Sequence, residues 1–304
     1  MNRISVVICT RDRPDLIGNA VESVLNNDHD AFELVVIDQS RDDASARAVA
    51  RFSDDSRFRF LHIDRVGLSH AYNFGISQTS AAIVAFTDDD CTAPAGWLSA
   101  IERSFAVHSD VAMLYGQTLA APELKDAPGV LPALPIHEEE KLGRGYGFRV
   151  YGMGANFALR RSLVDLIGGF DEALGGGGPL RSSQDFDFQF RAYRADAICL
   201  LAPDIWVHHY GIRDEQAWPA TLVAYGVGDG AFYFKHVRCG DLLALRLLLA
   251  RLGRLTLAQL LGPIRKRPSQ WPYLRSCVKG AIAGMHYRID RKKRIYLPAE
   301  STRG

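Results

Sequence analysis

The chain has no Cys-x-x-Cys pair; its five cysteines, Cys9, Cys91, Cys199, Cys239 and Cys277, are widely dispersed over 304 residues. That argues against a zinc site of the common spacing and against a disulfide framework, and it fits a reducing compartment. No apolar run approaches the ~18 residues of a spanning helix. The start, Met1-Asn2-Arg3-Ile4, carries no signal-peptide hydrophobic region or cleavage site. A cytoplasmic protein is expected, at most peripheral on the inner face of the plasma membrane. Excess charge of one sign is missing as well: 36 basic and 35 acidic residues leave a net charge of +1, so no global field points to nucleic acid. Nothing after the first strand reads Gly-x-Gly-x-x-Gly, so a dinucleotide fingerprint is missing. There is no internal repeat or low-complexity tract.

What remains is an ordinary globular composition, 47% hydrophobic and 23% charged, long enough for one large or two small domains. The first hundred residues alternate strand and helix. Ile4 to Cys9 is an apolar strand ended by Thr10-Arg11-Asp12-Arg13-Pro14. A helix follows with Leu16, Ile17, Ala20, Val21, Val24 and Leu25 on one face. Phe32 to Ile37 predicts a strand capped by Asp38, 42–52 a helix, Phe58 to Ile63 a strand, 67–77 a glycine-led helix and Ala82 to Phe86 a further strand. Strands separated by helices imply right-handed βαβ units, hence an α/β fold with a mostly parallel sheet. A helix from Pro94 to about His108 and the strand Val111 to Tyr115 come next, then a proline- and glycine-rich connection over 120–147.

The most informative stretch is Ala82-Ile83-Val84-Ala85-Phe86-Thr87-Asp88-Asp89-Asp90-Cys91. A buried strand delivers three carboxylates to the C-terminal edge of the sheet, where open α/β sheets bind ligands. A hard divalent cation such as Mg²⁺ or Mn²⁺ would relieve their repulsion; an ordinary acidic turn is the alternative. Asp38, at another strand end, can accept from a base or ribose, or cap the next helix. Asn73 lies in the glycine-led helix and needs partners if buried. The four glycines at 175–178 precede Gln184-Asp185, where Asp185 is either a dipole-favoured cap or a general base. In Trp206-Val207-His208-His209 strand alternation turns the two histidines to opposite faces, so at most one meets the acids.

In this order the pieces resemble the family 2 glycosyltransferases of GT-A fold, mainly bacterial enzymes of surface-polysaccharide synthesis. The match is collinear from about Ile4 to His209. It rests on Val-Val-Ile-Cys-Thr-Arg-Asp-Arg-Pro, Leu-Val-Val-Ile-Asp, Gly-Leu-Ser-x-Ala-x-Asn-x-Gly-Ile, Phe-Thr-Asp-Asp-Asp-Cys, Gly-Ala-Asn-Phe-Ala-Leu-Arg-Arg, Gly-Gly-Phe-Asp-Glu, Gln-Asp-Phe-Asp and Pro-Asp-Ile-Trp-Val-His-His. The resemblance implies a Rossmann-like, mostly parallel central sheet flanked by helices. Residues 1–110 would be the nucleotide-sugar half, 111–235 the acceptor half and 236–304 a helical C-terminal extension. It also implies roles. Thr10, Arg11, Arg13, Asp38, Asn73, Asp88 and Asp89 would bind the nucleotide sugar. Asp90, Asp88 and His209 would meet Mg²⁺ or Mn²⁺, with His209 matching the family position better than His208. Asp185 would be the catalytic base, and Trp97 and Gln184 would meet the acceptor. Two departures stand out: Tyr72 occupies the position usually held by Arg before Asn73, and Gln184 replaces the usual Glu before Asp185.

The implied reaction is a metal-assisted, inverting single displacement. It moves a sugar from a nucleotide-diphosphate donor, uridine first, thymidine next and guanosine behind, to a hydroxyl of a glycan or lipid-linked acceptor. Rivals are a sugar nucleotidyltransferase, which should show a glycine-rich loop after the first strand, and an inactive binding module, which should have lost Asp90 or Asp185. In the tail, a helix over 241–262 places Arg246, Arg251 and Arg254 within one arc of roughly 140°, with leucine over the remainder. Residues 241–267 are therefore expected to touch an anionic membrane, or alternatively to pack on the domain or on a second subunit in a homodimer.

Overall fold

Short runs of Val, Ile, Leu and Phe form the strands, and helices return the chain between them. The computed structural model describes residues 3–124, 127–213, 216, 218–261 and 269–297. The chain divides into two compact units. The first holds residues up to Val66, His70–Gly169 and Phe188–Asp214; the second holds Gly67–Ser69, Phe170–Asp187 and the chain from Glu215.

The first unit contains β1 (Ile4–Thr10), α1 (Pro14–Leu25), β2 (Phe32–Asp38), α2 (Ala44–Val49), β3 (Phe58–His62) and most of α3 (Leu68–Ser77). These are followed by β4 (Ile83–Asp88), β5 (Cys91–Thr92), α4 (Trp97–Val107), β6 (Val111–Ala120), β7 (Glu140–Leu142), β8 (Asn156–Arg160) and α5 (Arg161–Ile167). The helix α6 (Gln184–Arg194) passes from the second unit back to the first, and β9 (Ile198–His209) completes the sheet. Strand order is β3-β2-β1-β4-β8-β6-β9-β5, with β7 against β9. The β3-β2-β1-β4 half is parallel, as the βαβ pattern requires, and β8 runs antiparallel to both β4 and β6. α1 starts with proline in its first turn, where the missing N–H costs nothing. It buries Ile17, Ala20, Val21, Val24 and Leu25 against the sheet side formed by Ile4, Val6, Ile8, Leu34 and Val36.

Two local differences from the sequence pattern have physical causes. The strand expected to stop at Tyr115 runs to Ala120 through a register shift after Gly116. A Cβ at Gly116 would fall 2.3 Å from the Ile205 carbonyl oxygen, so only glycine lets β6 and β9 approach there. The helix expected over 42–52 is split into α2 and a 3₁₀ turn, Ala50–Phe52. Part of the 120–147 connection is ordered by pairing, through β7 and the bridge Thr118↔Leu134.

The second unit contains α7 (Trp218–Arg238), α8 (Leu242–Leu261), α9 (Trp271–Met285) and the hairpin β10 (Ile289–Asp290) and β11 (Ile295–Tyr296). α7 and α9 meet backbone to backbone. A Cβ at Gly230 would lie 1.9 Å from the Cys277 carbonyl oxygen, and one at Gly280 1.9 Å from that of Val227. Buried Lys235 bridges Asp171 at 2.5 Å and Asp187 at 2.7 Å, so the desolvated charges are mutually paired.

The arginine arc of α8 is corrected by the structure. Arg251 turns inward, paired with Asp229 and donating to Tyr273 Oη at 2.6 Å, while Arg246 and Arg254 stay exposed. A buried carboxylate on α7 needs a counter-charge, and that requirement outweighs helical segregation of leucine from arginine. Several α8 leucines consequently face outward. Among the described residues no helix is long and apolar enough to cross a membrane.

Candidate active site

Register places the first polar side chains together. Parallel pairing sets Cys9 beside Asp88 and Thr10 beside Asp38, so the C-terminal ends of β1, β2 and β4 lie at one edge. Beyond β4 the chain turns through Asp89 and Asp90 into β5, only two residues long, whose Cys91 pairs antiparallel with His209. That rung decides between the two histidines. His209 is buried with its Nε2 3.4 Å from Asp90 Oδ1, whereas the His208 ring packs on Trp206 at 4.8 Å.

The acids are held by a small set of donors. Thr10 Oγ1 donates to Asp89 Oδ2 at 2.7 Å, and Arg13 Nη1 reaches Asp89 Oδ1 at 2.8 Å and Asp90 Oδ2 at 2.9 Å. The Tyr210 N–H donates to the Asp90 carbonyl at 2.7 Å. Gly211 closes over the pair: a Cβ there would lie 2.1 Å from Asp90 Oδ2 and 2.9 Å from His209 Cε1. Burial, then repulsion from Asp90 and Asp89, pushes the Asp88 carboxyl up to about 8. Burial also raises Asp89, against the pull of Arg13. Burial lowers His209, against the attraction of Asp90, so the ring is neutral and its lone pair is available.

These residues fit a divalent cation. The candidate ligand atoms of Asp90, Cys91 and His209 all lie within 4.8 Å of one another, all three residues are buried, and His209 Nδ1 has no hydrogen-bond partner among the described residues. Cys91 is the weak member, because burial and the Asp88 and Asp90 charges push its thiol well above the ordinary range. Carboxylate and neutral imidazole are thus the effective donors, a set suited to hard or borderline divalent ions rather than thiolate-seeking ones.

Beside this cluster, a cavity of about 250 Å³ is lined by Asp38, Ser40, Phe60 and His62, among others. Asp38 is its buried floor. Its Oδ1 accepts from Ser40 N at 3.1 Å and from the Ser40 hydroxyl, and its Oδ2 faces His62 Nδ1 at 2.9 Å. The hydrogen bond that His62 donates to the Asp38 carboxylate holds this exposed imidazole above its usual value. Asp12 stitches the rim: its carboxylate accepts from Arg41 N and Nε, both at 3.0 Å, and its N–H donates to Ser40 Oγ at 2.8 Å.

Other expected residues fall elsewhere. Arg11 is exposed, with its Nε 3.8 Å from Asp12 Oδ2, and among the described residues no ion pair joins it to Asp88, Asp89 or Asp90. Asn73 packs against the Gly168-Gly169 turn, where a Cβ at Gly169 would come 2.3 Å from its Oδ1. Trp97, expected near an acceptor, is core: it is 1% exposed and its indole N–H donates to Asn156 Oδ1 at 3.0 Å. That position withdraws it from ligand contact. Tyr72, in place of a cation, is buried with its ring edge against Phe86 at 5.0 Å. In the second unit, Asp185 is half-buried in the first turn of α6 with Oδ1 accepting from Phe186 N at 2.9 Å, and Gln184 is buried against Gly175.

Sequence reasoning missed His62, Ser40 and Arg213. Arg213 acts electrostatically on both Asp88 and His209, and its buried Nε has no hydrogen-bond partner among the described residues. Its signal was the spacing to His209, with Gly211 between them.

The family model described as glycosyl transferase family 2 matches residues 5–167. A glucosyl-dolichyl phosphate glucuronosyltransferase of Haloferax volcanii is 25% identical over 180 residues, covering 57% of this chain and 57% of its own length. The chain therefore spans little more than half of that relative. The mannosyltransferase PcManGT from Pyrobaculum calidifontis, in complex with GDP-Man and Mn²⁺, superposes with a TM-score of 0.63 at 17% identity, over 93% of this chain and 87% of that one. S. aureus TarS in complex with UDP gives 0.56 at 18% identity, over 75% of this chain and 65% of that one. The curled, mostly parallel sheet with flanking helices is that of the GT-A glycosyltransferases.

Proposed function

The chain belongs to glycosyl transferase family 2, and from that premise we propose that it transfers a sugar from a nucleotide-diphosphate donor to a hydroxyl of a glycan or lipid-linked acceptor. The observation that carries the reading is the β5–β9 rung, which brings buried Asp90 to His209 beside Asp88 and Asp89 at the sheet edge. Asp90 and His209 would hold Mn²⁺ or Mg²⁺, which when bound supplies positive charge against the leaving diphosphate. The cavity over Asp38 is the seat proposed for the nucleoside. Phe60 offers a face for a base, and the Ser40 and His62 side chains offer polar contacts to it or to the ribose.

The cations have separate work. Arg13 already balances Asp89 and Asp90. Arg213, whose Nε has no hydrogen-bond partner among the described residues, is the residue proposed to reach a donor oxygen. Asp185 is the proposed general base, on the likeness of Gln-Asp-Phe-Asp to the family's motif. It would take the proton from the acceptor hydroxyl as that oxygen attacks the anomeric carbon opposite the diphosphate, so the product is inverted. Uridine is the base proposed first, in keeping with the UDP held by one structural relative. Thymidine is next, and guanosine, carried by the donor of another relative, is third.

The test is thermal stabilisation of the purified protein by UDP, dTDP, GDP and CDP, each with and without Mn²⁺. A ligand at 100 times its dissociation constant adds ~2.7 kcal/mol, a visible shift. A metal-dependent shift with one nucleotide is expected, and Asp90→Ala should remove its metal dependence. No shift with any nucleotide in folded protein would overturn the reading. A shift without transfer to any acceptor would favour a binding module.

A further inference from the structure

The near-neutral total charge conceals a local excess. No aspartate or glutamate lies between Asp241 and Asp290, a stretch with nine arginines and lysines. Within it, the outer faces of α8 and α9 are apolar. Leu242 is 79% exposed, Leu249 60% and Leu260 69%, and on α9 Val278, Ile282 and Met285 are exposed as well. At 100° per residue Leu242, Leu249 and Leu260 fall on one line along α8, with Arg246 and Arg254 on its flank. Arg275 and Lys279 interleave the apolar positions of α9, and all four of these basic residues are exposed. An apolar cleft of about 210 Å³ opens onto this face, lined by Leu252, Val278 and Ile282 among others.

A face of this kind calls for an occupant, because exposed apolar surface rimmed by charge marks an interaction site. A second copy is a poor one. In an isologous contact the same patch meets itself, so two sets of arginine and lysine would face each other with no acid on α8 or α9 to answer them. An anionic lipid surface answers both features at once. We propose that the outer face of α8 and α9 rests on an anionic bilayer, with its leucines, Val278 and Ile282 at the headgroup–acyl boundary and Arg246, Arg254, Arg275 and Lys279 on lipid phosphates. α8, at ~30 Å, lies along the surface. The inward Arg251 is excluded from this contact, since it serves Asp229. The inference does not depend on the transfer reading, so either can fail alone.

Co-sedimentation of the purified full chain with phosphatidylcholine vesicles, and with vesicles containing phosphatidylglycerol, tests it. Binding to the anionic vesicles is expected, weakened by high salt. Each exposed basic residue near such a surface contributes about fivefold in partitioning, so R254E/K279E should bind more than tenfold more weakly. L249D/I282D should lose binding with its melting temperature and circular dichroism kept. If that variant fails to fold, R254E/K279E decides. The proposal is overturned by protein that stays in solution with anionic vesicles, or by binding unchanged in folded R254E/K279E. A dimer that L249D/I282D splits and that shows no lipid binding would also overturn it, by making the occupant a second copy.

Discussion

Gly211→Ala is the sharpest test of the Asp90–His209 pair, because it alters neither candidate ligand. The φ of Gly211 lies outside the left-handed region, so alanine is tolerated by the backbone and the effect belongs to the methyl group alone. That methyl would stand 2.1 Å from Asp90 Oδ2, closer than the 3.0 Å below which real Cβ contacts are essentially never found. The carboxylate or the loop must therefore move by roughly 0.9 Å, in an interior packed too densely to absorb it. Metal–ligand distances tolerate only about 0.2 Å. The dissociation constant for Mn²⁺ should rise at least tenfold, ~1.4 kcal/mol, and overpacking should cost ~1–3 kcal/mol of stability.

The two effects separate in one assay. Melting temperatures are measured without ligand, then with Mn²⁺ and the best-bound nucleotide at 100 times the wild-type dissociation constant. A tenfold weaker site cuts the ligand-induced stabilisation from ~2.7 to ~1.4 kcal/mol at the same concentration. Gly253→Ala is the control, since a Cβ there meets nothing within 4 Å and sits in the interior of α8. It should gain a fraction of ~1 kcal/mol in stability from helix propensity, with ligand response unchanged. A folded Gly211→Ala protein that binds Mn²⁺ and nucleotide like wild type would refute the assignment of Asp90 and His209 as one cation site.

Three further outcomes are expected. Asp185→Asn should abolish transfer while leaving metal-dependent nucleotide stabilisation within experimental error; full turnover by this variant would remove Asp185 as base. Arg213→Ala should weaken nucleoside diphosphate binding by about 1.5–3 kcal/mol, the range for a hydrogen bond to a charged group, and nucleoside binding far less. Equal losses for both in calorimetric titration would place Arg213 away from the diphosphate. His236 supplies a pH test. Burial, against its contact with Asp187, pushes its imidazole down to about 4 from an ordinary 6.5. As pH falls from 6.5 toward 4 the unfolded chain takes up a proton that the native protein refuses. Its contribution is complete above 6.5 and is lost on acidification, by about 2 kcal/mol at pH 5. Urea titrations at pH 7 and pH 5 should show a smaller loss for His236→Gln, and an identical loss in both proteins would contradict it.

The first half of the fold was legible because its periodicities are strong and local. β1, β2, β3 and β4 and the helices between them arise from apolar runs and amphipathic faces, each bounded by polar turns. The candidate site was legible where strand ends deliver it: Asp38 and Asp88 follow from the rule that parallel sheets present their C-terminal edges, whereas Thr10 entered through the family resemblance. Alternation along the strand told only that one of His208 and His209 could meet the acids, and the preference for His209 came from the family resemblance, because β5, the strand that makes the contact, is two residues long and leaves no pattern to read. Trp97 shows the converse. A helix-start tryptophan looks the same in sequence whether it meets a sugar or the core, and its fate is set by Asn156, 59 residues away. His62 was missed for the same reason, since its partner Asp38 is 24 residues away; Ser40 and Arg213 lie close in sequence to Asp38 and His209, but nothing in a lone serine or arginine marks the contact.

The tail marks the point where helical periodicity fails as a guide. Arg246, Arg251 and Arg254 share an arc, so the pattern assigns all three to solvent and the leucines to the interior. Periodicity ranks residues by polarity, whereas packing must also satisfy the charges already inside. Asp229 is 2% exposed and also accepts from Ser183 Oγ at 2.6 Å. Without a cation, that carboxylate would stand unpaired in a region where one lost ionic partner costs several kcal/mol. Turning Arg251 inward answers it, and because a rigid helix rotates as one body, leucines on the opposite side are carried outward. On this reasoning the exposed leucines trace to one buried acid on α7, which makes the rotation of α8 testable. Asp229→Asn should relax that constraint, lowering the need for Arg251 at the interface while keeping the shape of the side chain. If burying Asp229 sets the rotation of α8, D229N/R251L should retain its fold, whereas R251L alone should be destabilised by about 3–5 kcal/mol. Equal destabilisation of the two variants in urea unfolding would show that the leucine faces, rather than the ion pair, orient the helix.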